Sequence, residues 1–254
     1  MMILKQFSSY LQFQRQLITS VKSDLGRILM VLKWLGMFLV ALLLVETGYI
    51  MGLMPDWEEF KYGPIPKSRY IKKYEYEHSI NNSLPKLRWY PVSISQIPKQ
   101  LIRTVIVAED SRFYQHQGFD QEALKKAMEY NLSKGKLIYG ASTISQQTVK
   151  NLFLTPSRNP LRKFHEAILT YAMEKNVGKQ RIIEIYLNNA EFGRGIYGVE
   201  AAARYYYAKS AIQLSDMDSI KLAATLPSPI KHNPNTQTEQ FIKRQNKIKQ
   251  HLAY

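Results

Sequence analysis

The sequence contains no cysteine, and its 254 residues include only 12 glycines and 11 prolines. The absence of cysteine excludes a disulfide framework, a cysteine-ligated zinc or iron–sulfur centre and a cysteine nucleophile. The small share of glycine and proline excludes collagen-like and low-complexity chains. Hydrophobic residues make up 45% of the chain and charged residues 22%, which is typical of a folded protein of one or two domains.

Acidic residues are also scarce relative to basic ones. The chain has 20 Asp+Glu against 35 Lys+Arg, which gives a formal charge of +15. Such an excess favours an anionic partner, which could be nucleic acid, a membrane surface or a phosphate-rich substrate, and it also serves solubility alone. Composition does not distinguish these alternatives.

Several familiar catalytic motifs are missing as well. The sequence has no HExxH, no P-loop, no GxSxG and no GxGxxG that follows a strand. Its five histidines are scattered along the chain, so the sequence predicts no metal site.

One long apolar run lies near the N-terminus, over residues 34–54, with Glu46 as its only charge. A helix of about 20 apolar residues is long enough to cross a bilayer, and Pro55 is expected to end it. A cleaved signal peptide and a buried core helix are the alternatives. Because 33 residues precede the run and no polar stripe interrupts it, a membrane anchor is the favoured interpretation.

The charges that flank the run predict its orientation, because basic residues concentrate on the cytoplasmic side of a span. Five basic residues precede the run, and three acidic residues follow it: Lys5, Arg15, Lys22, Arg27 and Lys33 before, Asp56, Glu58 and Glu59 after. The N-terminus is therefore predicted to lie in the cytoplasm and the rest of the chain outside the membrane. An exported basic domain meets membrane lipid and lipid-linked phosphate rather than nucleic acid.

The predicted organisation has four parts, with the boundaries taken from these composition changes. They are a cytoplasmic segment (1–33), the anchor (34–54), a proline-punctuated periplasmic linker and irregular lead-in (55–98), and a catalytic domain (99–254).

From Lys99 onward the pattern is helical, and no period-2 strand is evident, so an all-α or mostly α domain is predicted. Asp120 is expected to cap a helix, and Thr143 with Gln146 fits a capping box. Asn159–Pro160 is expected to open a helix that Gly178 closes. The predicted core face of that helix consists of Leu161, Phe164, Ile168, Tyr171 and Ala172, and further helices are predicted near 182–187, 201–207, 219–226 and 241–252.

Three clusters of polar residues interrupt these apolar helices. In the first, Glu109 and Asp110 end the run Val105–Ala108. Burial would raise the pKa of Glu109 and make it a suitable general base or acid. The alternative is a helix end at which the two acids simply meet solvent.

The second cluster spans 140–147 and continues to Lys150 and Asn151. Its small, hydroxylated and amide side chains suit sugar recognition, whereas helix capping and surface polarity would explain only part of it. The third cluster contains Arg162 and Glu166, four residues apart on one helical face. They form either a surface ion pair or a phosphate-binding arginine that holds a second carboxylate in place.

Two acids and several cations on a domain that faces membrane lipid suggest chemistry on a lipid-linked sugar diphosphate. Forming a glycosidic bond there needs a base for the acceptor hydroxyl and cations for the departing diphosphate.

At these residues the sequence resembles the family-51 glycosyltransferases, the peptidoglycan glycosyltransferases, and within them the monofunctional biosynthetic peptidoglycan transglycosylases. The resemblance covers about residues 101–234. Five motifs occur in family order: Glu109-Asp-x-x-Phe113-x-x-His116-x-Gly118-x-Asp120, Gly140-Ala-Ser-Thr-Ile-Ser-Gln-Gln147, Arg162-Lys-x-x-Glu166, Lys179-x-x-Ile-Ile-Glu-x-Tyr-Leu-Asn188, and Gly195-x-x-Gly198-x-x-Ala-Ala-Ala203.

The resemblance implies a lysozyme-like, two-lobed helical domain whose smaller lobe lies against the membrane. It implies polymerisation of lipid II into β-1,4-linked glycan strands with release of undecaprenyl diphosphate. Glu109 matches the general base, Glu166 the carboxylate that assists departure of the diphosphate, and Lys150 and Arg162 residues near that diphosphate. The expected positions in the substrate groove are Asp110, Ser142, Thr143, Gln147 and Asn151.

The resemblance also implies help from a divalent cation, Mg²⁺ or Mn²⁺, although the sequence shows no site for it. The expected partners are lipid II, the growing lipid-linked strand, membrane lipid and cell-wall synthesis proteins, in the bacterial inner membrane. Two alternatives remain at this stage. One is a membrane-anchored, lysozyme-like glycan hydrolase, and the other is a non-catalytic scaffold for wall synthesis.

Overall fold

The computed structural model describes residues 2–136, 140–155 and 161–253. The predicted helix start at Asn159–Pro160 lies outside these residues. The chain divides into two compact units, Met1–Leu53 and Met54–Tyr254, which are described separately.

The first unit is a single helix, α1 (Met2–Leu53). It ends just before Pro55, as predicted. Its most apolar 18-residue stretch has a mean hydropathy of 2.6 and no buried residue, whereas a core helix of a soluble protein would be buried. By length and composition, this helix is able to cross a membrane.

The second unit begins with elements that the sequence did not reveal. Two short helices, α2 (Trp57–Tyr62) and α3 (Arg69–Ile80), precede a strand, β1 (Arg88–Trp89). Asp56 and Ser68 cap the two helices, and Ile71 is fully buried. The prediction of an irregular lead-in is therefore wrong for these residues. Helix α2 has only six residues, and the polar helix α3 buries only Ile71 and Tyr74, so neither shows a sustained apolar pattern.

The remaining helices confirm the predicted helical domain. Asp120 accepts a hydrogen bond from the backbone N–H of Ala123 at 2.9 Å, and Thr143 and Gln146 form both bonds of the capping box. The helices are α4 (Lys99–Glu109), α5 (Gln121–Lys134), α6 (Ile144–Phe153), α7 (Leu161–Asn176), α8 (Lys179–Asn189), α9 (Val199–Tyr207), α10 (Asp216–Thr225) and α11 (Glu239–Leu252).

Gly178 begins a helix rather than ending one. Helix α7 stops at Asn176, and Gly178 has extended backbone angles at the N-cap of α8. Only Val177 separates the two positions, and its side chain is 1% exposed. The predicted closing role of Gly178 is wrong, because the link between the two helices is too short for a separate C-terminal turn.

The predicted core face of α7 is reversed. Phe164 and Tyr171 are 56% and 58% exposed, whereas Glu166, Leu169 and Met173 are buried. Helical spacing correctly separated the two faces of α7, but the face that carries Phe164 and Tyr171 was wrongly assigned to the core. Glu166 can lie on the buried face because Arg162 and Lys163 pair with its carboxylate, which offsets the free-energy cost of burying the charge.

Helix α5 also exposes its apolar stripe. Leu124, Met128 and Leu132 are each more than half exposed, and no side chain of the helix is buried. Four-residue spacing places the three on one face.

A small sheet lies beside these helices. Strand β3 (Ile196–Tyr197) pairs in parallel with β1 and antiparallel with β2 (Glu191–Gly193), in the order β1–β3–β2. The sequence gave no strand signal because two or three residues are too few for an alternating pattern.

The core of the second unit forms where α6 packs against α7 and α8, and where α10 and α11 pack against α4. Leu101, Ile144, Leu169, Ile182 and Leu222 are fully buried there. This packing brings the end of α4, the start of α7 and the middle of α11 to the residues of α6.

Candidate active site

Glu109 is the last residue of α4, and its side chain is 10% exposed. One carboxylate oxygen accepts a hydrogen bond from Gln147 Nε2 at 3.0 Å. The other accepts one from Arg244 Nη2 at 2.6 Å. The prediction that this acid merely meets solvent at a helix end is wrong, because two side chains from α6 and α11 hold it in a buried position.

The partners of Glu109 are themselves fixed. Gln147 Oε1 accepts a hydrogen bond from the hydroxyl of Tyr186 at 3.2 Å, and Arg244 also donates to the carbonyl of Ala108 at 3.3 Å. Tyr186 is fully buried, and burial raises its pKa well above the usual value, so its hydroxyl is a donor at neutral pH. The amide of Gln147 therefore has a defined orientation toward Glu109.

Burial raises the pKa of Glu109, while Arg244, Gln147 and Lys150 act in the opposite direction. A carboxyl group whose pKa is moved toward neutrality by burial is suited to proton transfer. The cations keep the ionised form accessible.

Glu166 lies on the first turns of α7 with a side chain only 3% exposed. One of its oxygens pairs with Lys163 Nζ, and the other lies 3.6 Å from Arg162 Nη1. Arg162 is 29% exposed, so its guanidinium can reach a ligand as well as the carboxylate. The pair is therefore more than a solvated surface interaction.

Lys150 interacts electrostatically with both carboxylates. Burial lowers its pKa, and both Glu166 and Glu109 act to raise it. Arg162 and Lys163 also influence its pKa. Lys150 thus lies within electrostatic reach of both acids, with three cations gathered at the Glu166 end.

One face of α6 carries Gln147, Lys150 and Asn151, because residues three and four positions apart lie on the same side of a helix. All three are half-buried. Helix α6 therefore presents an amide toward Glu109, a cation toward both acids, and the Asn151 amide one turn beyond Gln147.

A cavity of about 190 Å³ adjoins Glu109. Its wall includes Gly140, Ser142 and Thr143, together with Asp110. Ser142 is exposed, so its hydroxyl is available to a ligand.

Asp110 and Thr143, both predicted to bind substrate, use their polar atoms within the protein. Asp110 contacts His116 Nε2 at 2.9 Å and accepts from the backbone N–H of Ile144 at 3.0 Å. The Thr143 hydroxyl donates to the carbonyl of Gly118 at 2.7 Å. Both residues connect the loop after α4 to the start of α6, and so they position the cavity wall.

Gly118 makes that loop possible. Its φ is +89°, and a Cβ there would lie 2.8 Å from Thr170 Cγ2. A side chain at this position would push the loop away from α7.

Ligand atoms of Asp110, His116 and Asp120 lie within 4.8 Å of one another, a grouping able to hold an ion in principle. Both Asp110 oxygens are already hydrogen-bonded, and Asp120 caps α5. Arg112 Nε lies 3.7 Å from the other Asp120 oxygen. An adjacent guanidinium and committed oxygens make this group a poor fit for a resident divalent cation.

The structure adds four residues to the site to which the sequence analysis assigned no role. Arg244 is 135 positions from Glu109, and Tyr70 is close enough to Arg162 and Glu166 for both to influence its pKa. Tyr186 and Lys163 complete the set. Arg244 and Tyr70 lie far along the chain from the acids they affect and leave no local pattern. Tyr186 and Lys163 stand inside the quoted motifs, and the position of Lys163, three residues before Glu166, was a usable signal.

Comparison with known proteins identifies this arrangement further. A family model described as transglycosylase matches residues 78–253. The chain is similar to the biosynthetic peptidoglycan transglycosylase of Nitrosospira multiformis, with 40% identity over 220 residues that cover 85% of this chain and 93% of that protein.

Two further relatives carry the same name. The protein of Laribacter hongkongensis is 37% identical over 223 residues, which cover 88% of this chain and 98% of the relative. The protein of Haemophilus influenzae is 44% identical over 190 residues, which cover 74% of this chain and 77% of the relative.

Proposed function

The chain belongs to the transglycosylase family, and from that premise we propose that it polymerises lipid II into β-1,4-linked glycan strands with release of undecaprenyl diphosphate. The observation that carries this proposal is the pair of buried carboxylates, one beside a sugar-sized cavity and the other among cations, with Lys150 within electrostatic reach of both.

Glu109 acts as the general base. The 4-hydroxyl of the acceptor GlcNAc attacks C1 of the donor sugar, and its proton passes to the Glu109 carboxylate. Gln147 and Arg244 hold that carboxylate in place. The acceptor sugar occupies the cavity beside Glu109, where Ser142 offers a hydrogen bond to its hydroxyl or amide groups. Asn151, on the face of α6 that carries Gln147 and Lys150, offers a further hydrogen bond to the substrate.

Glu166 and its cations serve the leaving group. As the bond between C1 and the diphosphate oxygen breaks, negative charge develops on the diphosphate. Lys150 and Arg162 stabilise that charge, and Glu166 holds Arg162 and Lys163 in position. Asp110 and Thr143 support the substrate groove by fixing its wall.

The family implies a divalent cation, Mg²⁺ or Mn²⁺. The grouping of Asp110, His116 and Asp120 would not hold it well, for the reasons given above. The proposal therefore assigns the charge stabilisation to side-chain cations and no step to a metal.

The first unit serves as the anchor in the bacterial inner membrane, with the N-terminus in the cytoplasm and the second unit in the periplasm. The apolar length of α1 and the basic residues before the run support this arrangement. Membrane lipid, lipid II and the growing strand are then within reach of one face of the enzyme.

The test is incubation of the detergent-solubilised protein with labelled lipid II, wild type beside Glu109→Gln, with products separated by size. We expect lysozyme-digestible polymer from the wild type and a loss of about a thousandfold in the variant, within the range for general acid–base catalysis. Full activity in a folded Glu109→Gln variant contradicts the assignment of the base. Soluble fragments released from finished cell wall would instead identify a hydrolase.

A further inference from the structure

A second cavity, of about 470 Å³, lies against the small sheet and includes no residue of the candidate active site. Its wall carries three cationic side chains, two tyrosines and an exposed amide: Lys86, Arg88, Arg194, Tyr205, Tyr206 and Asn235. We call it the basic pocket.

The basic pocket has a net positive charge. None of its lining residues is acidic. Within the part of the chain that the structure describes, Lys86, Arg88 and Arg194 form no ion pair within 4 Å. Three unpaired cations around one concavity attract an anionic ligand.

Glu191 lies within electrostatic reach of Arg194, which acts to lower the pKa of Glu191, but the two form no ion pair. Burial raises the pKa of Glu191 to about 7. Its carboxyl is therefore only partly ionised at neutral pH, and it does not cancel the charge of the pocket.

The walls of the basic pocket are fixed before any ligand arrives. The Arg88 guanidinium lies over the ring of Tyr205, 5.4 Å from its centroid. The Tyr206 hydroxyl donates to the carbonyl of Phe192 at 2.7 Å. A Cβ on Gly193 would lie 2.7 Å from that hydroxyl, so only glycine permits this wall.

Strand β2 connects the basic pocket to the active site. Gly193 lines the pocket, while Glu191, at the other end of the strand, influences the pKa of Tyr70 together with Arg162 and Glu166. Two residues of strand correspond to about 7 Å. Packing supports this connection: helix α3, which carries Tyr70, packs against α6, and a Cβ on Gly195, next to Arg194, would lie 2.6 Å from the hydroxyl of Tyr74 in the same helix.

We propose that the basic pocket binds the carboxylate-bearing peptide of the glycan substrate. This inference rests on the proposed function. In lipid II, the sugar that carries the diphosphate also carries the peptide, so a peptide whose sugar is held at Arg162 starts near β2. Five extended residues reach about 17 Å. Arg88 and Arg194 bind its carboxylates, and Asn235 hydrogen-bonds its backbone.

The test uses a soluble disaccharide-tetrapeptide from cell wall, with free or amidated peptide carboxyl groups, titrated into the full-length detergent-solubilised protein by calorimetry. We expect binding of the free acid and about tenfold weaker binding of the amidated form. The Arg88→Gln/Arg194→Gln variant should show the same tenfold loss, and Arg88→Lys/Arg194→Lys a smaller one. The Lys72→Gln/Lys249→Gln variant, which removes two exposed charges elsewhere, should bind as the wild type does.

Equal affinity of wild type and Arg88→Gln/Arg194→Gln for the free acid overturns the proposal, as does equal binding of the amidated fragment. Displacement of the fragment by an equal concentration of inorganic phosphate also overturns it, because the pocket would then be a general anion site. The titration needs no turnover, so a failure of polymerisation is distinguishable from a failure of this inference. Unchanged melting temperatures of the variants exclude loss of folding.

Discussion

The two buried carboxylates of the active site differ in the number of cations around them. Glu109 has one guanidinium and one amide within hydrogen-bond distance, whereas Glu166 contacts Lys163 and Arg162 and lies near Lys150. A carboxyl with few cationic partners keeps a pKa raised by burial and can exchange a proton. A carboxyl among several cations serves to organise them.

The same difference predicts which substrate charge each end accepts. In the proposed mechanism, the Glu109 end binds a neutral hydroxyl, while the Glu166 end binds a diphosphate whose charge grows during the reaction. The difference between acid–base and electrostatic catalysis therefore lies in the surroundings, since the two side chains are the same.

Among substitutions of the site's cations, Lys150→Met should have the largest effect on activity, because Lys150 acts electrostatically on both acids. We expect kcat for lipid II polymerisation to fall about a hundredfold, the usual loss when one preorganised charge donor is removed. The matched control is Lys249→Met on the exposed side of α11. A Lys150→Met variant with the kcat of the wild type would remove this residue from the leaving-group site.

Arg162→Gln should affect binding more than turnover, since its guanidinium is partly exposed and is 3.6 Å from Glu166. We expect KM for lipid II to rise about tenfold, the loss of one charge-assisted contact to phosphate. Competition by a lipid diphosphate should weaken in parallel. An unchanged inhibition constant for that competitor speaks against a phosphate contact.

Arg244→Gln should change the pH dependence of the reaction through its effect on Glu109. Arg244 lowers the pKa of Glu109 against the effect of burial, so its removal raises that pKa further. Because the base must be ionised, the acid limb of the kcat/KM profile should move to higher pH. Activity should then fall about tenfold at mildly acidic pH and recover as pH rises.

The control for this profile is Lys243→Gln, which removes the neighbouring exposed cation that pairs with Glu239. Its pH profile should match that of the wild type. Equal loss of activity by Arg244→Gln at every pH would indicate a purely structural arginine.

Thr143→Val should have the smallest effect on chemistry, although the residue lies beside the cavity. Its hydroxyl bonds to Gly118 and caps α6, so we expect a loss of about 1–2 kcal/mol in the free energy of unfolding. Ser142→Ala is the matched control, because Ser142 is exposed, and its stability should be unchanged in denaturant titration. Equal stability of both variants contradicts the positioning role of Thr143.

The sequence predicted those parts of the fold whose information is local. The cap at Asp120, the capping box at Thr143 and the apolar run before Pro55 depend on residues within a few positions of one another. It missed α2, α3 and the sheet, whose elements are stabilised by distant partners, as when Asn189 accepts a hydrogen bond from the backbone of Ser68.

The site divides in the same way. Glu109, Glu166, Lys150 and Arg162 stand out as charges within apolar helices, so motif and spacing indicated them. Arg244 could not be found in this way, because 135 residues separate it from Glu109. The burial of Glu166 also required tertiary packing, since the spacing in α7 separates two faces without saying which one turns inward.

Helix α5 buries no side chain, so we expect it to open more readily than the packed helices. A helix of 14 residues with no buried side chain has little free energy to resist opening. Its backbone amides should exchange with deuterium before those of α4 or α8, unless an apolar surface covers Leu124, Met128 and Leu132. The rate of deuterium exchange in α5 therefore shows whether an apolar surface covers these three residues.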